Sequence, residues 1–379
     1  MRQCTFGVAV FSDGSEADEA RICTYLEQAH ALGCGEVFSS LHIPELGFAK
    51  SLAVLGRIAG FAHAWGMQVS LDVSGVVANT LLSDEPRRLA LRALAPDWVR
   101  MDFGFDEQAM LRLVGQLDLP GLMLNASVLT QQQVEHQVKL LRAQYPNLRL
   151  RGHHNYYPLP ESGLSLGFLL RRTRQYTALG IPVTACVAAH HAPRLPLACG
   201  LPTVEAYRTL HPGEAALRLV TTGVIDDVLI GDPFASGDEL AGVALACGGG
   251  VPVLRVRPDD GVTAQERRIA FAAPHHARPD EAAWAVRSQT SREMAAPGQP
   301  VTPRPAGPRL RGDVMVCNHS ALRYSGELQV LRASLPATPL QNRVGRVIEA
   351  DLWKLGLLCP GEDFRLTPVT GEQTDDTTI

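Results

Sequence analysis

No two of the eight cysteines of this chain (Cys4, Cys23, Cys34, Cys186, Cys199, Cys247, Cys317 and Cys359) stand in a C-x-x-C arrangement. A structural zinc site therefore has no support in the sequence. Several of these cysteines lie in apolar runs, where a reduced thiol packs as a small hydrophobe, and the pattern predicts a reducing cytoplasm. Long hydrophobic runs are missing too. Nowhere do enough apolar residues follow one another to span a bilayer, and the first eleven residues carry too short an apolar run for a secretion signal. A formal net charge of −4 argues against nucleic acid or an anionic membrane as the main partner. A glycine-rich phosphate turn is also lacking. Where one would follow the first strand, the chain reads Phe11-Ser-Asp-Gly-Ser15, which is no dinucleotide fingerprint.

What is present is a soluble globular composition, 46% apolar and 20% charged. At 379 residues the chain is long enough for two domains. Short β-rich runs alternate with helical patterns, placing strands at 5–10, 36–39, 67–73, 98–101, 121–124, 148–152, 182–187 and 227–230. Eight such units within about 250 residues match an α/β fold of the (β/α)8 TIM-barrel type better than a doubly wound open sheet. After position 250 the character changes. Strands are predicted at 251–256, 269–272, 314–317, 326–331, 344–349 and 364–367, interrupted by a Pro/Arg-rich stretch at 297–311. The expected organisation is a catalytic barrel over 1–248, a small β-rich domain over 249–369 and a disordered polar tail over 370–379.

In a barrel, chemistry sits at strand C-termini and the loops after them. The densest such segment is His154-Asn-Tyr-Tyr-Pro-Leu-Pro-Glu-Ser-Gly163, a proline-stiffened loop bearing an imidazole, an amide, two phenols and a carboxylate. Other predicted strand ends carry Ser39 with His42 and Glu45, then Asp72, Arg100 with Asp102, Asn125, His190 with His191 and Arg194, and Asp232. Singly, each acid reads as a helix cap. Together, acids and amides around one rim suit a polyhydroxylated ligand, with two carboxylates acting on a glycosidic bond. The catalytic candidates are Asp72, Asp102, Glu45 and Glu161. Arg100 and Arg194 are the cations for anionic groups. The pairs His153–His154 and His190–His191 raise an alternative, a metal-dependent isomerase or hydrolase using His154 and His190, yet no HxH or HExxH spacing accompanies them. A third reading is a phospho-sugar-binding protein without turnover.

These motifs resemble the MupG family of 6-phospho-N-acetylmuramidases. The matching pieces are Phe38 to Glu45, Leu71 to Gly75, Val99 to Gly104, Leu124 to Ser127, His154 to Ser165, Gly200 to Glu205 and Val228 to Asp232, followed by Arg323 to Gln329 and Asn342 to Gly345. The resemblance spans both domains in order. It implies a TIM barrel followed by a cyclophilin-like β domain, and a cytoplasmic glycosidase of cell-wall recycling without a cofactor. The implied partner is a small disaccharide in which 6-phospho-N-acetylmuramic acid is β-linked to N-acetylglucosamine; no nucleic acid or membrane is expected, and a homo-oligomer is left open. Ser39, His42, Arg100, Asn125, His154, Asn155, Tyr156, Arg194, Asp232 and Arg323 are the expected substrate-binding residues, Arg323 reaching from the second domain. Where relatives carry a Gly-Asp-Gly type turn after strand 7 this chain has His190 and His191, and Leu195 replaces a glycine. That difference narrows or re-tunes the pocket, and a diverged member acting on another amino-sugar glycoside is the alternative it leaves.

Overall fold

The structure is a computed structural model that describes residues 4–41, 47–102, 106–248, 250–296, 298–305 and 307–369. His42, Glu45 and the tail expected at 370–379 lie outside the described residues. The chain divides into two compact units, Met1–Gly249 and Gly250–Ile379. No helix of the described residues is long and apolar enough to cross a membrane.

The first unit is a closed barrel of eight parallel strands in sequential order: β1 (Thr5–Ala9), β2 (Glu36–Ser40), β3 (Gln68–Val73), β4 (Trp98–Met101), β5 (Gly121–Asn125), β6 (Arg149–His153), β7 (Val183–Val187) and β8 (Asp227–Ile230). Alternation decides which side chains fill the lumen. Ala9, Phe38, Cys186 and Leu229 form one inward layer, with Phe11 and Tyr156 packed on it. Near the N-terminal ends of the strands, Arg151 pairs with Glu36 and stands 3.7 Å from Asp227, while Ser70 donates to Glu36 at 2.5 Å. That end of a barrel serves stability, and the opposite end carries function.

After β3 two short helices occur, Gly75–Ser83 and Glu85–Ala93, each begun by a side-chain cap from Ser74 and Asp84. After β7 a 3₁₀ turn, Glu205–Tyr207, precedes the helix Pro212–Val220.

The second unit is one seven-stranded sheet ordered β10 (His275–His276), β15 (Asp363–Pro368), β9 (Val253–Pro258), β14 (Gln341–Val347), β12 (Asp313–Cys317), β13 (Leu328–Leu331) and β11 (Ala285–Arg287). Leu254, Val256, Val314, Val316, Val330 and Phe364 build its core on one face, against the helix Ala264–Phe271. That helix corrects the strand expected at 269–272. Its start is written in Thr263-x-x-Glu266, a capping box in which the threonine hydroxyl and the glutamate each satisfy a backbone N–H.

Candidate active site

Inward parity brings a polar cluster to the C-terminal rim of the barrel. Asp72 near the end of β3 stands in register with Arg100 of β4, and Asp102 follows one alternation later. Arg100 Nη1 donates to Asp72 Oδ1 at 2.7 Å and to Asp102 Oδ1 at 3.2 Å. Its Nη2 donates to Asn155 Oδ1. Asn125, the last residue of β5, donates from Nδ2 to Asn155 Oδ1 at 2.9 Å and to Asp102 Oδ1 at 3.5 Å. Four consecutive strand ends thus supply two carboxylates, a guanidinium and two amides, linked into one network through Arg100 and Asn125.

The two carboxylates are not equivalent. Asp72 is buried, whereas the Asp102 side chain keeps 27% of its surface exposed. Burial pushes the Asp72 carboxyl above the usual range; the Arg100 charge opposes this and the neighbouring Asp102 charge adds to it. Arg100 itself is 4% exposed and engaged in this cluster through both amino groups. A guanidinium shared between two acids orders both of them and offsets the cost of burying them.

A second cluster flanks the first. Arg194, after β7, lays its guanidinium 3.6 Å over the Phe11 ring and donates from Nη1 to the Tyr156 hydroxyl at 3.1 Å. Burial raises the Tyr156 phenol to about 12, so it stays protonated near neutrality. The loop that carries Arg194 is tied down by Asp232, whose carboxylate accepts the backbone N–H groups of Ala189, Arg194 and Leu201 at 2.8–3.0 Å. Asp232 is fully buried in that work and shapes the loop.

Parity turns two other candidates away from the lumen. Ser39 faces away from the lumen and donates to Val10 O at 2.7 Å, tying β1 to β2; its neighbour Ser40 is the one in register with Asp72. His154 likewise turns outward. It is fully buried between Ser127 Oγ at 3.2 Å and Thr173 Oγ1 at 2.9 Å, and burial lowers its pKa to about 3. The imidazole on the inner side is His153, stacked on Phe38, with Nδ1 2.8 Å from the carbonyl of His154. That contact requires the proton on Nδ1 and leaves Nε2 an acceptor.

His190 Nε2 meets the Arg208 carbonyl at 2.9 Å and His154 Nε2 meets Thr173, so both imidazoles of the metal-dependent alternative are already engaged. Among the described residues, no group of three or more His, Cys, Asp or Glu stands at metal-holding distance. Leu195 projects outward, 77% exposed.

The 154–163 loop is fixed by a pair, Glu205 and Arg208, that lies outside the candidate residues. Glu205 accepts the N–H groups of Glu161 at 2.9 Å and Gly163 at 2.7 Å, while Arg208 bridges Glu205 to the carbonyls of Tyr157 and Leu159. Hydrogen bonds from Arg208 hold the Glu205 carboxyl down at about 2, assisted by the two backbone donors. A Cβ on Gly163 would lie 2.5 Å from Glu205 Oε2, so the close approach requires glycine. The i, i+3 spacing of Glu205 and Arg208 was the available signal. Glu161 ends on an exposed turn at φ 68°. Arg323 belongs to the second unit, where it bonds the Tyr324 hydroxyl at 2.9 Å.

Comparison with known proteins gives one consistent picture. No curated protein matches the chain in sequence. Among solved structures, a conserved protein from Enterococcus faecalis with an unknown function is 29% identical, with a TM-score of 0.80 over 96% of each chain. An uncharacterized B. cereus protein is 26% identical, with a TM-score of 0.71 over 97% of this chain and 100% of that one. Family models for the N-terminal and C-terminal parts of 6-phospho-N-acetylmuramidase match residues 6–245 and 252–367. The chain belongs to the MupG family of 6-phospho-N-acetylmuramidases.

Proposed function

We propose that this protein is a cytoplasmic glycosidase of cell-wall recycling that cleaves the β-1,4 bond between 6-phospho-N-acetylmuramic acid and N-acetylglucosamine. The observation that carries the reading is the convergence of Asp72 and Asp102 on Arg100, beside Asn125 and Asn155, at the functional end of the barrel.

Asp72 and Asp102 each place one carboxyl oxygen on a single nitrogen, at 2.7 and 3.2 Å, so those two oxygens lie at most about 6 Å apart, and we read the pair as the closely spaced carboxyl groups of a retaining enzyme. Asp102, the more accessible carboxylate, attacks the anomeric carbon, while Asp72, whose raised pKa favours the protonated form, gives its proton to the departing glycosidic oxygen. The glycosyl–Asp102 ester then forms as the N-acetylglucosamine leaves. Water attacks that ester, losing its proton to Asp72, and both carboxyl groups return to their starting states. Arg194, held over Phe11 and beside Tyr156, is the cation for the phosphate or the lactyl carboxylate.

Incubation with phosphorylated and unphosphorylated muramyl disaccharides, followed by mass spectrometry, tests the reading. It predicts release of N-acetylglucosamine and 6-phospho-N-acetylmuramic acid from the former. Equal cleavage of both removes the phosphate requirement, and no cleavage of either removes the function.

A further inference from the structure

The sheet of the second unit has two faces with different chemistry. Leu328, Val330, Val314 and Val316 point into the core, so by alternation Glu327, Gln329 and Cys317 point to the other face. An antiparallel sheet face away from the core ordinarily carries scattered, solvated charges. Here it carries an ordered polar row beside a small buried apolar cluster of Ala285, Met315 and Leu331. Arg287 Nε and Nη2 grip Glu327 at 2.9 and 3.1 Å, Gln329 Nε2 donates to Glu327 Oε1 at 2.9 Å, Gln341 Nε2 donates to Gln329 Oε1 at 2.9 Å, and Arg309 Nη1 donates to Gln341 Oε1 at 2.7 Å.

The row lines a cavity of about 360 Å³, within the roughly 300–1,000 Å³ range of small-ligand pockets. Tyr324 and Leu340 give the cavity an apolar edge. A neighbouring cavity of about 620 Å³ shares Arg309, Thr338 and Gln341 with it, so Arg309 stands where the two meet. Glu327 and Gln341 are 3% and 8% exposed, and Arg287 holds the Glu327 carboxyl below its ordinary pKa against the opposing effect of burial. A buried charge and two amides on a cavity wall, instead of apolar residues, cost stability that packing alone does not return.

We propose that this cavity is a second ligand site, distinct in its residues from the barrel cluster, for a small molecule that carries a secondary amide beside a carboxylate. The unspent hydrogen-bonding capacity defines that class. Gln329 has used one of its two amide hydrogens and Gln341 one lone pair of its carbonyl, so together they offer a donor and an acceptor to an amide. Arg309 has committed Nε to the Pro336 carbonyl and Nη1 to Gln341, and among the described residues its Nη2 is left to meet a carboxylate. Amide plus carboxylate occurs in an N-acylated amino acid or short peptide acid, and equally in an N-acetylated sugar acid.

The test uses the full chain with N-acetyl-alanine, N-acetyl-alanyl-alanine and N-acetylmuramic acid as probes, followed by calorimetric titration and by NOEs between each probe's acetyl methyl and the Tyr324 ring protons. The expected result is saturable binding of at least one probe, with the peptide and sugar arms telling the two sources apart. N-acetyl-alaninamide, which lacks the carboxylate, binds at least tenfold more weakly. Arg309→Met and Gln329→Leu each weaken binding at least tenfold, while Asp102→Asn leaves it unchanged. The proposal is overturned if no probe saturates, if the Tyr324 NOEs are absent from a bound probe, or if Asp102→Asn abolishes binding while Arg309→Met does not. Because this readout is binding at the sheet, its failure leaves the barrel glycosidase reading standing, and the reverse also holds.

Discussion

Asp72 and Asp102 sit on the same guanidinium, yet one is buried and the other partly open, and the different work proposed for them rests on that difference. If Asp72 is the proton donor, Asp72→Asn loses about 10²–10⁴-fold on a natural leaving group but far less on an aryl glycoside, whose phenolate leaves without protonation. Asp102→Asn is not rescued in that way. Steady-state rates on the two substrates check the split, and equal losses for both variants on both substrates contradict it.

A pH effect follows from the two adjacent histidines at the end of β6, His153 and His154. Burial lowers His154 to about 3 and His153 well below 6.5, so both are neutral in the fold. An unfolded chain protonates them below about 6.5. Stability is therefore fully present above that pH and is lost as pH falls toward the folded values, by up to about 1.4 kcal/mol per pH unit for each histidine. Urea unfolding between pH 7.5 and 5.5 measures the slope, and His154→Asn reduces it by roughly one histidine's share.

At this scale the sequence was legible in type but not always in direction. Asp72, Arg100, Asp102 and Asn125 share inward parity. Ser39 and His154 are one position out of phase with Ser40 and His153, and a strand offset by one residue exchanges its faces.

Elements add what single residues cannot. The 154–163 loop holds its shape because Glu205 and Arg208, on the next loop, take up its backbone groups. Glu205→Gln keeps the shape but removes the charge that binds Arg208, so KM is expected to rise about tenfold with kcat changing less. Gly163→Ala forces the loop off Glu205 and is expected to do the same. An unchanged KM in both contradicts the pinning role. Because Glu205 is held near 2 against 4.5 unfolded, its contribution is present above pH 4.5 and is lost as pH falls toward 2. The eight barrel strands were readable because each is a short apolar run with its own turn signal. The helix Ala264–Phe271 was misread because its apolar residues, Ile269 to Phe271, cluster at its end, and only the Thr263–Glu266 box marks its start.

At the scale of the whole molecule, composition and repeat number were enough to separate a barrel from a second, β-rich unit, since eight strand–helix units and a change of pattern near 250 leave few alternatives. What stayed hidden was the polar face of the second sheet, because Gln329 and Gln341 reveal a common row only once β12, β13 and β14 are paired. That unit has its own core of Leu254, Val256, Val314, Val330 and Phe364, so residues 250–369 expressed alone are expected to unfold in one cooperative calorimetric transition. A featureless trace contradicts this.

The central claim is that the Asp72–Arg100–Asp102 cluster breaks a glycosidic bond. Its most direct test is single-turnover assay of the phosphorylated muramyl disaccharide with wild-type protein and with Asp102→Asn of unchanged melting temperature. The account predicts rapid release of N-acetylglucosamine by the wild type and a loss of at least about 10³-fold in the variant. Wild-type rates from Asp102→Asn would contradict it.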